Sequence, residues 1–176
     1  AEPVYLDDRL MAQPAAALQL AAKEILHLAF LVGEQLHLTT GMVRRKEEGQ
    51  PAAGIEQREK LKGLGGKITE YLSGLFSAGV LTEEQAAQTA GVMYLLGDVE
   101  RMGELCVDVT LAIEDRDRRK TKYSKEAMKD LEKSLKVIED MYGAALQVLT
   151  TGDEESARKI RKKKEKVLDL DIEMRK

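Results

Sequence analysis

From Pro14 onward, Leu18, Ala22, Ile25, Ala29, Val32, Leu36 and later Val43 recur at intervals of three and four, the spacing of one face of a helix, and the pattern carries to about Glu48. Pro14 suits a first helical position, where its missing N–H would have no partner anyway. Gly49 to Gly54, with Pro51 between glycines, breaks this first helix. A second is predicted over Ile55–Ser77, with Leu61, Leu64, Ile68, Leu72 and Leu75 or Phe76 inward, and Ala78 to Val80 turn the chain. Thr82 and Gln85 form a capping box that opens a third helix, in which Val92, Leu95, Val99, Met102, Cys106, Val109 and Ile113 repeat. The charged stretch Asp115–Lys122 reads as a helix end or solvated connection. Ser124 caps a fourth helix reaching about Thr150, with Met128, Leu131, Leu135, Ile138, Met141, Tyr142 and Leu146 or Leu149 inward. Gly152 ends it, and Asp153 caps a fifth that runs to Lys176 on a seam of Ile160, Val167, Leu170 and Met174. The opening stretch, residues 1–13, has no helical period and reads as an incoming linker.

Five helices would hold roughly four-fifths of the chain against a base rate of about one third, so the expected class is all-α. Composition agrees: of 176 residues 43% are hydrophobic and 34% charged, with three prolines and no tryptophan. Basic residues number 28 and acidic 31, a net charge of −3, which disfavours a sequence-independent nucleic-acid binder. The single cysteine, Cys106, can form neither an intrachain disulfide nor a structural zinc site and fits a reducing compartment. No apolar run near 18 residues stands out, so the chain is expected to be soluble as supplied, and its start at Ala1 without methionine fits an excerpt of something longer. Leu38-Thr39-Thr40-Gly41 recurs as Leu149-Thr150-Thr151-Gly152, a faint echo pointing to helices one to three and helices four, five and a missing sixth as two copies of one unit.

Glu100, Glu104 and Asp108 are spaced i, i+4, i+8 on the third helix, on a face turned away from the Val99, Met102, Cys106 stripe. Glu165, Asp169 and Glu173 repeat the arrangement on the fifth. These hard oxygen donors could share divalent or ferric ions. Spacing alone does not demand an ion, because like-charged i, i+4 neighbours cost only about 0.2–0.5 kcal/mol per pair on a solvated face. Glu24-Ile25-Leu26-His27 and Glu34-Gln35-Leu36-His37 both spell Glu-x-x-His, the motif of ferritin-like di-metal sites. Both copies lie on one helix, about 15 Å apart along its axis, and cannot hold the same ion within one chain. Gly63-Leu64-Gly65-Gly66-Lys67 fails as a phosphate loop: it lacks the leading glycine, the hydroxyl residue after the lysine and a preceding strand. Seven cations between Arg158 and Lys166 form a patch suited to anionic lipid headgroups or an acidic partner, or a plain solvated face. The sole cysteine and the two histidines lie on different helices, so no nucleophile–base pair can be argued.

Tyr5-Leu6-Asp7-Asp8-Arg9-Leu10 through Ala15-Ala16-Ala17-Leu18, then Ala22-Lys23-Glu24-Ile25-Leu26, resembles the segment that follows the transmembrane part of bacterial sodium/phosphate cotransporter family proteins. Asp98-Val99-Glu100-Arg101-Met102-Gly103-Glu104 resembles the Asp/Asn-Leu-Glu-Arg-Ile-Gly-Asp signature of PhoU-like domains. The resemblance implies antiparallel three-helix bundles in tandem: a linker over 1–13 after a missing transmembrane part, a first bundle over 14–119, and two helices of a second, incomplete bundle over 120–176. It implies a non-catalytic regulatory domain on the cytoplasmic face of the bacterial inner membrane, modulating sodium-dependent phosphate uptake by docking its helices against the transmembrane part. In some relatives iron or zinc clusters sit on the bundle surface. The ligands carried over here are Glu100 and Glu104, then Glu165 and Asp169, with Asp108 extending the ladder. Three departures stand out. Glu104 replaces the usual aspartate; Arg58, Lys62 and Lys67 stand where relatives tend to be acidic and would repel cations; and the sixth helix is absent. The fourth and fifth helices are therefore expected to leave an apolar seam that a homo-oligomer or further residues would cover. The alternatives are a ferritin-like metal-dependent protein using Glu24, His27, Glu34 and His37, and a plain helical dimerisation scaffold.

Overall fold

A computed structural model describes residues 2–45 and 51–175. They are predominantly helical, with no strand among the described residues, so the all-α class holds. A short turn at Asp8–Leu10 precedes α1 (Pro14–Arg45), α2 (Pro51–Ser77), α3 (Glu83–Arg118), α4 (Lys125–Thr151) and α5 (Glu154–Met174). The Gly49–Gln50 part of the expected break lies outside the described residues. Pro51 itself does not break a helix but begins α2, four residues before the expected start at Ile55, because proline's fixed φ suits a first helical turn.

The expected caps are all formed. The Thr82 N–H donates to Gln85 Oε1 at 3.0 Å and the Gln85 N–H to Thr82 Oγ1 at 3.2 Å. Ser124 accepts from the Ala127 N–H at 3.1 Å. Gly152, at φ 70°, closes α4 with its N–H on Val148 at 2.7 Å, and Asp153 accepts from the Glu155 and Ser156 amides. The four-residue echo has no common structural role: Thr39 and Thr40 are buried inside α1, whereas Thr150 and Thr151 are exposed at the end of α4.

The chain forms two compact units that do not follow chain order. One comprises Ala1–Val32 with Ala52–Leu105, the other Gly33–Pro51 with Cys106–Lys176. The division anticipated at residue 119 follows the chain, whereas these units take the first and last stretches of both α1 and α3 separately. Their apolar stripes continue along their length, so each stretch finds its own partners.

In the first unit Ile25, Leu28, Leu64, Ile68, Leu72 and Leu96 are almost fully buried. Gly103 of α3 faces Val32 of α1 and Leu61 of α2: a Cβ there would lie 3.4 Å and 3.7 Å from their methyl carbons, at ordinary contact distance. In the second, Val43 of α1, Ile113 of α3 and Leu135 of α4 share a core, flanked by Met42, Val109, Met128 and Leu131. Gly33 faces the Tyr142 ring of α4, and α4 packs along α5. The open seam expected on α4 is therefore taken up by α1 and α3, and Leu170 of α5 is buried while Leu168 and Ile172 remain exposed.

Buried hydroxyls are satisfied within their own helices: Thr39, Thr40, Thr89 and Thr110 each donate to the carbonyl four residues earlier, at 2.7–2.9 Å. By length and composition Pro14–Val43 is apolar enough to cross a membrane, contrary to the expectation that no such run exists. Its apolar residues Leu18, Ile25, Leu28, Val32 and Leu36 are buried within the protein.

Candidate functional site

In the first unit the acidic ladder and the cations of α2 meet. Glu100 is half-buried rather than outside the core, because glycine at position 65 opens α2 to it: a Cβ on Gly65 would overlap the Glu100 carboxylate. Together Leu28, Val32, Arg58, Leu61, Lys62, Glu100, Gly103 and Glu104 line a cavity of about 170 Å³. Its floor is aliphatic and its charge is two carboxylates against two cations. Burial, and then the neighbouring Glu104 charge, push the Glu100 carboxyl above the usual carboxylate range. Glu104 is exposed and accepts from Arg101 Nη1 at 3.1 Å.

Iron or zinc does not fit this arrangement well. Among the described residues Glu100 and Glu104 are the only carboxylates lining the cavity, one of them already paired to Arg101, and Arg58 and Lys62 supply positive charge where an ion would sit. Asp108 is exposed on the part of α3 that belongs to the second unit, as are Glu165 and Asp169 on α5. Among the described residues no three His, Cys, Asp or Glu side chains converge as a metal-binding group.

The first Glu-x-x-His pair does different work. Glu24 is fully buried, and its Oε2 accepts the Val4 and Tyr5 amide protons at 2.8 and 2.5 Å. Its Oε1 lies 2.9 Å from His27 Nδ1, and the Tyr5 ring meets the His27 ring edge-on at 6.1 Å. On the far side the Tyr71 hydroxyl donates to the Asp7 carbonyl at 3.0 Å, and Lys67 of α2 pairs with Glu2. The opening segment is thus clasped to α1 and α2, where a free linker was expected. The second copy does not form a pair: Glu34 is exposed, and His37 Nδ1 reaches Glu139 of α4 at 2.5 Å.

Three further features settle simply. Gly63 to Thr69 is continuous helix, not a phosphate loop. Cys106 is buried and its thiol is pushed up to about 11, which makes it a poor nucleophile at neutral pH. The Arg158–Lys166 cations are exposed apart from the half-buried Lys163.

The clasp was missed by reading residue types singly, whereas the counter-cations Arg58 and Lys62 were anticipated. A carboxylate on the same side of a helix as Ala21, Ile25 and Leu28 is the signal that would have found Glu24, since a buried charge requires partners. No protein family, curated protein or solved structure matches this chain.

Proposed function

We propose that the chain is a cytoplasmic PhoU-like regulatory domain of a sodium-dependent phosphate transporter, which modulates uptake by docking its helices against the membrane part. The observation that carries this reading is the clasp. The opening block, one of the two stretches in which the resemblance resides, is held by a buried carboxylate, a tyrosine hydroxyl and a lysine on α1 and α2. A segment fixed in this way passes displacement of its upstream end directly to the helices, as a regulatory connection from a transporter requires. The other block, Asp98 to Glu104, lies on α3 and contributes the charged mouth of the cavity in the same unit. In that setting the α5 cations would face anionic headgroups.

The test is phosphate uptake by the intact transporter encoded with this chain. Deleting residues 14–176, or replacing Glu24 by alanine, is expected to alter the response of uptake to phosphate supply while transport itself persists. A gene with no transmembrane helices upstream of Ala1, or uptake whose regulation is indifferent to the deletion, overturns the proposal.

A further inference from the structure

The connection from α3 to α4, read from sequence as solvated, and the first turn of α4 each contain a residue that local physics disfavours where it stands. Lys120 ends α3 at φ 54°, with its N–H on Asp117 at 3.1 Å and the Thr121 N–H on Arg116 at 3.0 Å. This is the left-handed cap position that glycine fills by default, because a Cβ is strained there. Lys125 is the first residue of α4, where the positive end of the helix dipole repels a cation. Both border one cleft of about 820 Å³, which Lys122 and Lys129 also line, with Met128 and Val43 at its apolar side.

None of these four lysines forms an ion pair among the described residues. The one arginine in the lining is already used. Arg116, its side chain only 10% exposed, holds Asp117 Oδ1 through Nη2 at 2.6 Å and Nε at 2.8 Å. Its guanidinium lies 5.7 Å from the centroid of the Tyr123 ring, fixing that ring at the cleft. Asp117 is thereby neutralised, and Glu132 is the remaining carboxylate against four ammonium groups.

Residues placed against local preference concentrate where a site requires them. Here both such residues point to the same need: positive charge gathered around a concavity of small-molecule size beside an aromatic face. A lone phosphate would occupy little of that volume and would not use the ring. We propose that the cleft between α3 and α4 binds a nucleoside polyphosphate, its phosphates held by Lys120, Lys125 and Lys129 with the α4 N-terminus and its base stacked on Tyr123. This inference does not depend on the transporter reading.

Calorimetry and thermal shift on the intact chain test it with ATP, tripolyphosphate, adenosine and inorganic phosphate. ATP is expected to bind and raise Tm, with affinity falling as salt rises; tripolyphosphate binds about tenfold more weakly, and adenosine and phosphate give no measurable heat. Lys120→Gly and Lys125→Glu are each expected to raise the Tm of the free protein, because they remove local strain and dipole repulsion, yet to weaken ATP about tenfold or more. Tyr123→Ala should make ATP and tripolyphosphate equivalent. Absence of ATP binding, ATP binding indifferent to both lysine variants, or capture of polyglutamate in place of ATP overturns the proposal. Equal affinity of the wild type for ATP and tripolyphosphate overturns its nucleoside part.

Discussion

Replacing Glu24 by alanine removes the acceptor of two amide protons and the partner of His27 at a fully buried position. Each hydrogen bond to a charged acceptor contributes about 1.5–3 kcal/mol, so the two backbone bonds together represent about 3–6 kcal/mol. Two effects offset part of this. Val4 and Tyr5 are themselves substantially exposed, so their amides regain water when the clasp opens. The few residues released regain about 1 kcal/mol each of backbone entropy. A net loss of about 2–3 kcal/mol remains, equivalent to about 5–10 °C in Tm for a chain of this size. Thermal denaturation measures the total, and amide hydrogen exchange at Val4 and Tyr5 locates it: protected in the wild type, fully exchanging in Glu24→Ala. The control is Glu34→Ala, an exposed glutamate in the second copy of the same motif, which should stay within about 0.5 kcal/mol of wild type. Equal loss from both substitutions, or unchanged exchange in Glu24→Ala, would refute the assignment of the buried carboxylate as the anchor of the opening segment.

Adjacent glycines in α2 should respond differently. Gly66→Ala, with open space around it, should stabilise by about 0.5–1 kcal/mol in urea titrations, whereas Gly65→Ala must swing the flexible end of Glu100 aside and should gain measurably less, a difference that disappears in the Glu100→Ala background; equal gains in the wild-type background would contradict the close approach. Because the folded protein holds the Glu100 carboxyl above its unfolded value, it binds more protons than the unfolded chain just above the usual carboxylate range, and this group's contribution to stability falls as pH rises through that window. Glu100→Gln should therefore gain Tm relative to wild type above the window and show no gain below it; a gain independent of pH would contradict burial as the cause. Reversing both counter-cations, Arg58→Glu with Lys62→Glu, would line the cavity with four carboxylates. Titration with Zn²⁺ should then show at least about tenfold tighter binding than wild type, and unchanged affinity would show that the α2 cations do not govern the site.

The helix caps were legible because they are short-range chemistry: Thr82 with Gln85, Ser124, and Gly152 with Asp153 each specify a backbone bond within a few residues. Pro51 was misread because the same ring that breaks a helix interior is favoured at its first turn. The acidic ladder was placed correctly on α3, but Glu100 was assigned to the outside. The stripe on the third helix was read as Val92, Leu95, Val99, Met102, Cys106, Val109 and Ile113, whereas the buried face also takes in Leu96, Gly103, Val107 and Thr110. Gly65 held that information, since a glycine within a helix allows a neighbour to approach closely, but which neighbour approaches depends on tertiary register. The cleft beside Tyr123 escaped for a related reason. Its lysines are scattered over a connection and a first turn, and only the fold gathers them around one hollow.

The two long helices that serve both compact units bind their fates in a practical way. Excising the chain after Arg119 would strip Val43 and Ile113 of Leu135, and starting a fragment at Lys120 would leave Leu135 facing water. No single scission yields two self-sufficient pieces, so damage at either end of the polypeptide should be felt through α1 and α3 by the whole molecule.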